Sequence, residues 1–116
     1  LIQWGESVGR WLAVRFFRTA HGREPVREWL RELPAPERRS IGEEIRTVQL
    51  GWPTGMPLVR KLRADPWEIR VRLKDGIARV LFTFEDGEAV LLHGFVKKSR
   101  RIPADDLATA MQRLAA

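Results

Sequence analysis

The stretch Trp67–Val96, WEIRVRLKDGIARVLFTFEDGEAVLLHGFV, decides the fold. Through its first seven residues, 67–73, apolar and charged side chains alternate, so one side carries Trp, Ile, Val and Leu and the other carries Glu and Arg. A period of two is typical of a strand with one buried face. The turn sequences Lys74-Asp75-Gly76 and Glu85-Asp86-Gly87-Glu88 then separate this strand from two further apolar strands. The stretch therefore predicts three consecutive antiparallel strands joined by hairpins.

Upstream of this stretch, the sequence predicts one strand and a pair of helices. Residues 11–17 (WLAVRFF) are apolar and rich in strand-forming side chains. A short helix is expected over 24–33, with Pro25 at its first turn, and Pro36 begins a second helix. The apolar stripe of that second helix is formed by Ile41, Ile45 and Val48. Because the linker is short, the two helices should form an antiparallel hairpin.

A last helix is predicted after Pro103, with Asp105 and Asp106 in its first turn, where negative charge is favourable. The predicted order of elements is β-α-α-β-β-β-α. This is an α+β fold, in which the helical hairpin and the C-terminal helix pack on one face of a small antiparallel sheet. We expect residues 1–10 to be a disordered leader or an extra N-terminal segment, and residues 11–116 to form a single domain.

Composition narrows the classes of function. The 116 residues include no cysteine, which excludes disulfides and thiolate–metal sites and fits a cytoplasmic protein. No segment has the pattern of a membrane span or of a signal peptide. Lys and Arg number 21 against 15 acidic residues, a net charge of +6. Such an excess indicates a polyanionic partner, namely nucleic acid, an anionic membrane or an acidic protein, unless it reflects only a genome that favours arginine codons.

The charged face of the predicted sheet is the clearest candidate for a functional site. Arg70 and Arg72 point the same way on one strand, and Arg79 joins them if the hairpin register places it beside Arg70. Adjacent like charges are destabilising, so such a pair suggests that an anion binds there. Lys61 lies upstream and Lys97 ends the third strand. These residues predict a concave, cationic face that binds RNA phosphates.

The charged face has an alternative interpretation, and three further features are weaker candidates. The alternative for the charged face is a solvated surface on which Glu68 and other acids pair with the arginines. His93 lies in the third strand, where a lone histidine is more often structural than catalytic, and Phe95 is the aromatic side chain most suited to stack on a base. The basic run 97–101 (KKSRR) would attract any polyanion and offers a lysine as general acid or base.

Several established signatures are absent from the sequence. It contains no phosphate-binding GxxxxGK[ST] loop, no GxSxG nucleophile turn and no HExxH motif. Two isolated histidines without cysteine give no metal-ligand spacing. We therefore predict neither a metal nor an organic cofactor.

The end of the sheet resembles a known family. Residues 91–99 (LLHGFVKKS), followed by Ile102-Pro103, resemble the LLHGFxKKtqktP segment of phage-derived HigB-like toxins, a branch of the RelE superfamily. Three further stretches are similar to that family's GxPxxKxL, LWELR and YRVFF motifs, and one to its PVxEFL helix: 55–62 (GMPLVRKL), 67–70 (WEIR), 79–82 (RVLF) and 25–30 (PVREWL). The resemblance runs from Val14 to Leu114.

This resemblance implies the toxin of a two-gene toxin–antitoxin module with a RelE-like fold. Such toxins enter the ribosomal decoding site, contact ribosomal RNA and cut messenger RNA, and a small helix-turn-helix antitoxin silences them. We expect no membrane partner. The cleavage needs no metal, because the RNA 2′-hydroxyl attacks the adjacent phosphate. Many RelE-type toxins use a C-terminal tyrosine or a histidine and aspartate set; this chain has no tyrosine.

On this resemblance we expect Arg70 and Arg79 to clamp the scissile phosphate, with Lys61 and Lys97 as the acid–base or charge-stabilising pair and His93 in reserve for proton transfer. The expected RNA-binding residues are Arg72, Phe95, Lys98, Arg100 and Arg101, with Phe95 as a stacking wall and with Lys98 and Arg100 gripping the ribosomal RNA backbone.

Two alternatives to an endoribonuclease remain. The chain could bind RNA or ribosomes and block translation without cutting, or it could be an inactive toxin that serves as an antitoxin-binding co-repressor.

Overall fold

A computed structural model of the chain describes residues 12–51, 59–61, 66–97 and 102–116, with only the backbone described for 59–61. The elements, in chain order, are β1 (Val14–Phe16), α1 (Pro25–Glu32), α2 (Ala35–Gly51), β2 (Val59–Lys61), β3 (Trp67–Leu73), β4 (Gly76–Glu85), β5 (Glu88–Lys97) and α3 (Ala104–Ala115). The α+β class and the predicted order of elements are confirmed, with β2 as one additional short strand. The predicted leader over 1–10 lies outside the described residues.

The strands form a five-stranded mixed sheet in the order β1-β5-β4-β3-β2. The predicted antiparallel pairs β3–β4 and β4–β5 are confirmed, and β1 joins the edge of the sheet parallel to β5. Asp86 and Gly87 both adopt positive φ angles, of 54° and 80°. Two such residues in succession form the tight turn that matches the twist of adjacent strands, so the EDGE sequence connects β4 to β5 as predicted.

The helical hairpin covers one face of the sheet. Ile41 and Val48 of α2 are fully buried there, and Ile45 packs beside them, as the predicted stripe requires. The backbone of β5 approaches α1 closely at Gly94. A Cβ atom at this position would lie 2.3 Å from the nearest ring atom of Trp29, so only glycine allows the indole to pack against the strand.

The opposite face of the sheet is covered by α3, so the prediction that all helices share one face is wrong. Ala110 of α3 packs with Leu81, Val90, Leu92 and Phe95 in a second apolar cluster. The physical reason lies in β5, where the run from Ala89 to Leu92 is apolar without alternation. Such a run is typical of a strand buried on both faces. Within the described residues, no helix combines the length and the apolar character that crossing a bilayer requires.

Candidate functional site

The predicted charged residues lie on the α3 face of the sheet, in rows that cross β3, β4 and β5. One row consists of Arg70, Arg79 and Phe95, which are direct partners across the two strand pairs. Directly opposed residues of antiparallel strands lie on the same face, with Cβ atoms about 4.5–5.5 Å apart. The predicted juxtaposition of Arg70 and Arg79 is therefore confirmed.

The neighbouring row places two more cations at the open end of the same face. Arg72 and Lys97 both pair with Ile77, from opposite sides. Arg72 and Lys97 are exposed. The side chain of Arg70 is partly buried, with 21% of its surface accessible to solvent. We refer to Arg70, Arg72 and Lys97 as the cationic rim. Three cationic side chains, from β3 and β5 on either side of β4, thus contribute positive charge to the same end of this face.

Arg79 differs from the rim because it is fully buried, as is Glu68. One guanidinium nitrogen of Arg79 lies 3.6 Å from Glu68 Oε2, and Nε of Arg70 lies 3.9 Å from Glu68 Oε1. The carboxylate thus faces both arginines, which explains how two guanidiniums occupy adjacent positions. The expectation that Arg79 clamps a phosphate on an open surface needs correction. In this position it holds Glu68, and Glu68 in turn contacts Arg70.

Phe95 also lies deeper than expected. Its residue exposure is 6%, and it belongs to the apolar cluster under α3. Its ring stacks on His93, with centroids 5.7 Å apart and an interplanar angle of 29°. Stacking on a base would require an exposed ring face. The ring of Phe95 is instead buried in the apolar cluster under α3, where it stacks on His93.

His93 attaches α3 to the sheet. Its Nε2 lies 2.7 Å from Asp106 Oδ1, and its Nδ1 lies 3.4 Å from a guanidinium nitrogen of Arg113. Because a guanidinium can only donate, Nδ1 accepts from Arg113 and Nε2–H donates to Asp106. The same Arg113 nitrogen donates to the carbonyl of Leu92 at 2.7 Å. Sequence reasoning placed Asp106 correctly in the first turn of the helix but did not find its histidine partner.

A cleft of about 420 Å³ opens beside the rim, between α2 and the β3–β4 hairpin. From the sheet it is lined by Arg70 and Arg72, and from α2 by Ser40, Glu43 and Glu44. Guanidiniums bind phosphate, and a carboxylate beside them can accept a proton. Neither glutamate could be recognised from the sequence, because acidic residues on a helix are ordinarily solvated and nothing local indicates that these two line a cleft beside the sheet.

Residues 28–115 of the chain match the family described as Phage derived protein Gp49-like (DUF891). The chain belongs to this Gp49-like family. This membership is compatible with the toxin of a toxin–antitoxin module. Among curated proteins, the search finds no match to the chain.

Of the remaining predicted residues of this Gp49-like protein, the structure gives only the backbone register of Lys61. The backbone register pairs Lys61 with Trp67, and it is position 60 that pairs with Glu68. Register position 61 is therefore on the side of the sheet that carries Trp67, away from Arg70. The basic residues Lys98, Arg100 and Arg101 lie outside the described residues. Across the described part of the chain, no cluster of histidine and acidic side chains is arranged to hold a metal.

Proposed function

We propose that this Gp49-like protein is the toxin of a two-gene module and that it cleaves messenger RNA at the cationic rim. The observation that carries the proposal is the placement of Arg70 and Arg72 of β3 and Lys97 of β5 on one face of the sheet, with both arginines lining a cleft that also presents two carboxylates. Cations alone would account for RNA binding. The combination of cations with a carboxylate supplies the groups that cleavage requires.

The distance between Arg70 and Arg72 in the rim is suitable for binding one phosphate. Arg70 and Arg72 are two residues apart on one strand face, so their Cα atoms are about 7 Å apart and both long side chains can reach one phosphate. Both also line the cleft. Arginine is well suited to this role, because its planar donors engage two oxygens of a phosphate at once.

The proposed reaction is an internal transfer within the RNA. The 2′-oxygen bonds to the adjacent phosphorus, its proton passes to a carboxylate of the cleft, and the bond from phosphorus to the 5′-oxygen breaks. The leaving 5′-oxygen takes a proton from Lys97. The products are a 2′,3′-cyclic phosphate and a 5′-hydroxyl. Arg70 and Arg72 stabilise the charge that develops on the phosphoryl oxygens, which is usually the largest contribution of the protein.

Of the two carboxylates, Glu44 is our choice as the proton acceptor. Its side chain is half-buried, whereas Glu43 is exposed, and it lies one helical turn from Ser40, which also lines the cleft. Arg79 acts as a positioning residue through Glu68. His93 contributes by fixing α3 on the sheet.

The substrate and partners follow from the resemblance to HigB-like and RelE-type toxins together with the charge of the chain. We propose that the substrate is messenger RNA on the ribosome, that the basic segment 97–101 contacts ribosomal RNA, and that a helix-turn-helix antitoxin neutralises the toxin in the cytoplasm. The net charge of +6 supports a polyanionic partner of this kind.

The decisive test is brief induction of the chain in cells, followed by mapping of new RNA 5′ ends. The wild-type chain should arrest growth and produce new 5′ ends inside translated messages. Arg70→Gln and Arg72→Gln should each reduce cleavage by about 100-fold, because each removes a donor from the transition state. Arg31→Gln is the matched control, since Arg31 is an exposed arginine on α1 and its loss changes the net charge equally. Equal cleavage in all three variants would refute the proposed site.

A second candidate function is translation inhibition by binding alone. It is favoured by the burial of Arg79 and Phe95, because burial removes one expected phosphate ligand and one expected stacking ring from solvent. In that case the chain would arrest growth and bind ribosomes while the 5′-end map stayed unchanged.

A further inference from the structure

A second cavity, of about 360 Å³, lies on the α3 face of the sheet, away from the rim. It is bounded by β1 and residues 17–20 that follow it, the C-terminal end of β4, the N-terminal half of β5, and the C-terminal turn of α3. Thr83, which lines it, is four residues along β4 from Arg79, a distance of about 13 Å. Its volume is within the range of small-molecule sites. The proposed RNA-cleaving site does not use any of its lining residues.

The cavity contains a partly buried cation whose contacts carry no negative charge. The guanidinium of Arg113 contacts the carbonyl of Leu92, the imidazole of His93 and, at 5.9 Å from the centroid, the ring of Phe17. Among the described residues, no carboxylate lies within ion-pair distance of it. Burial accordingly lowers the pKa of Arg113 from its ordinary value. Arg113 has lost part of its hydration and has no negatively charged partner in the described part of the chain. An anion that bound in the cavity would therefore interact favourably with its guanidinium.

The other charged side chains of the lining increase this positive charge. Arg18 is exposed at the cavity mouth and forms no hydrogen bond or ion pair with the described residues. Arg15 also lines the cavity, but it forms salt bridges with Glu85 and, at 3.1 Å, with Glu88, which is not part of the lining. Among the side chains of the lining there are thus three arginines and one glutamate, and the two arginines without a carboxylate partner among the described residues are the ones available to a ligand.

We propose that this cavity binds the phosphomonoester of a ribonucleotide, either free or at the end of an RNA chain. A phosphomonoester carries about −1.5 to −2 charges near neutral pH, which matches the two available arginines better than the single charge of a carboxylate or a phosphodiester. Phe17 and Leu114, which also line the cavity, supply an apolar wall for the ribose and base. This inference stands independently of RNA cleavage at the rim.

The test is calorimetric titration of the purified full-length chain with adenosine 5′-monophosphate and, separately, adenosine 3′-monophosphate. At least one should bind, and adenosine should bind at least about tenfold more weakly, because charge-assisted hydrogen bonds to phosphate are lost. Arg18→Gln should weaken the nucleotide about tenfold, while Arg31→Gln, an equal change of charge on α1, should leave its affinity unchanged. Arg18 is exposed and unbonded within the described structure, so its replacement tests binding rather than folding.

A pair of oligoribonucleotides, with and without a terminal phosphate, identifies the source of the ligand. Tighter binding of the phosphorylated oligomer than of the mononucleotide would assign the site to an RNA end, and equal binding would assign it to a free nucleotide; both results support the cavity as a phosphomonoester site. Binding of neither monophosphate at millimolar concentration would overturn the proposal. So would binding that Arg18→Gln and Arg31→Gln affect equally. Neither result depends on whether the rim cleaves RNA.

Discussion

Replacing Glu68 by glutamine removes a negative charge that lies 3.6 Å from the guanidinium of Arg79. Both side chains are fully buried, so water cannot compensate for the lost charge. Breaking a buried ion pair in this way typically costs about 3–5 kcal/mol, a large part of the about 5–15 kcal/mol that stabilises a domain. We therefore expect Glu68→Gln to lower the free energy of unfolding by about 3 kcal/mol or more.

The assay is urea denaturation of four proteins, the wild type, Glu68→Gln, Arg79→Met and the double variant. Removing both charges leaves neither charge buried without its partner, so the double variant should be closer to the wild type than the sum of the single changes. Glu43→Gln is the matched control, since Glu43 is exposed on α2 and its loss should change stability by at most about 0.5 kcal/mol.

The same four proteins separate stability from function. Arg70 contacts Glu68, so the double variant should fold but cleave RNA poorly, because the carboxylate that positions Arg70 is missing. If Glu68→Gln cost less than about 1 kcal/mol and its effect simply added to that of Arg79→Met, the account of a coupled buried pair would be refuted.

Further predictions concern the attachment of the helices. Gly94→Ala should destabilise the fold by about 1–3 kcal/mol in denaturant unfolding, because its Cβ would collide with the Trp29 ring. Gly42→Ala, in α2 with no atom near the added Cβ, should instead stabilise it by about 0.5–1 kcal/mol; an equal effect of the two changes would contradict the packing. Asp106→Asn should raise hydrogen exchange in α3, since the charged acceptor of His93 is lost, and unchanged exchange would argue against this attachment.

Local patterns are sufficient to predict the hairpin sheet and the approach of its arginines. The alternation in Trp67–Leu73 and the turn sequences KDG and EDGE fix the β3–β4–β5 meander, and strand register follows from turn length. Because that register is determined locally, the meeting of Arg70 and Arg79 can be predicted from the order of residues in the hairpin.

The depth of the site could not be predicted, because burial depends on which elements cover a face. Arg79 and Arg72 occupy the same face of one hairpin, yet one is fully buried and the other exposed. The run from Ala89 to Leu92 does indicate two buried faces, which is consistent with α3 covering the side of the sheet opposite the hairpin. Glu44 gave no such sign, because its position in the cleft depends on how α2 crosses the sheet.

The central claim, RNA cleavage by 2′-hydroxyl attack at the rim, is tested most directly by the chemistry of the RNA ends formed in a reconstituted translation reaction. With the wild-type chain, we predict message fragments that end in a 2′,3′-cyclic phosphate and begin with a 5′-hydroxyl, and these should be absent with Arg70→Gln. Inhibited translation with intact messages, or fragments that begin with a 5′-phosphate, would contradict the account.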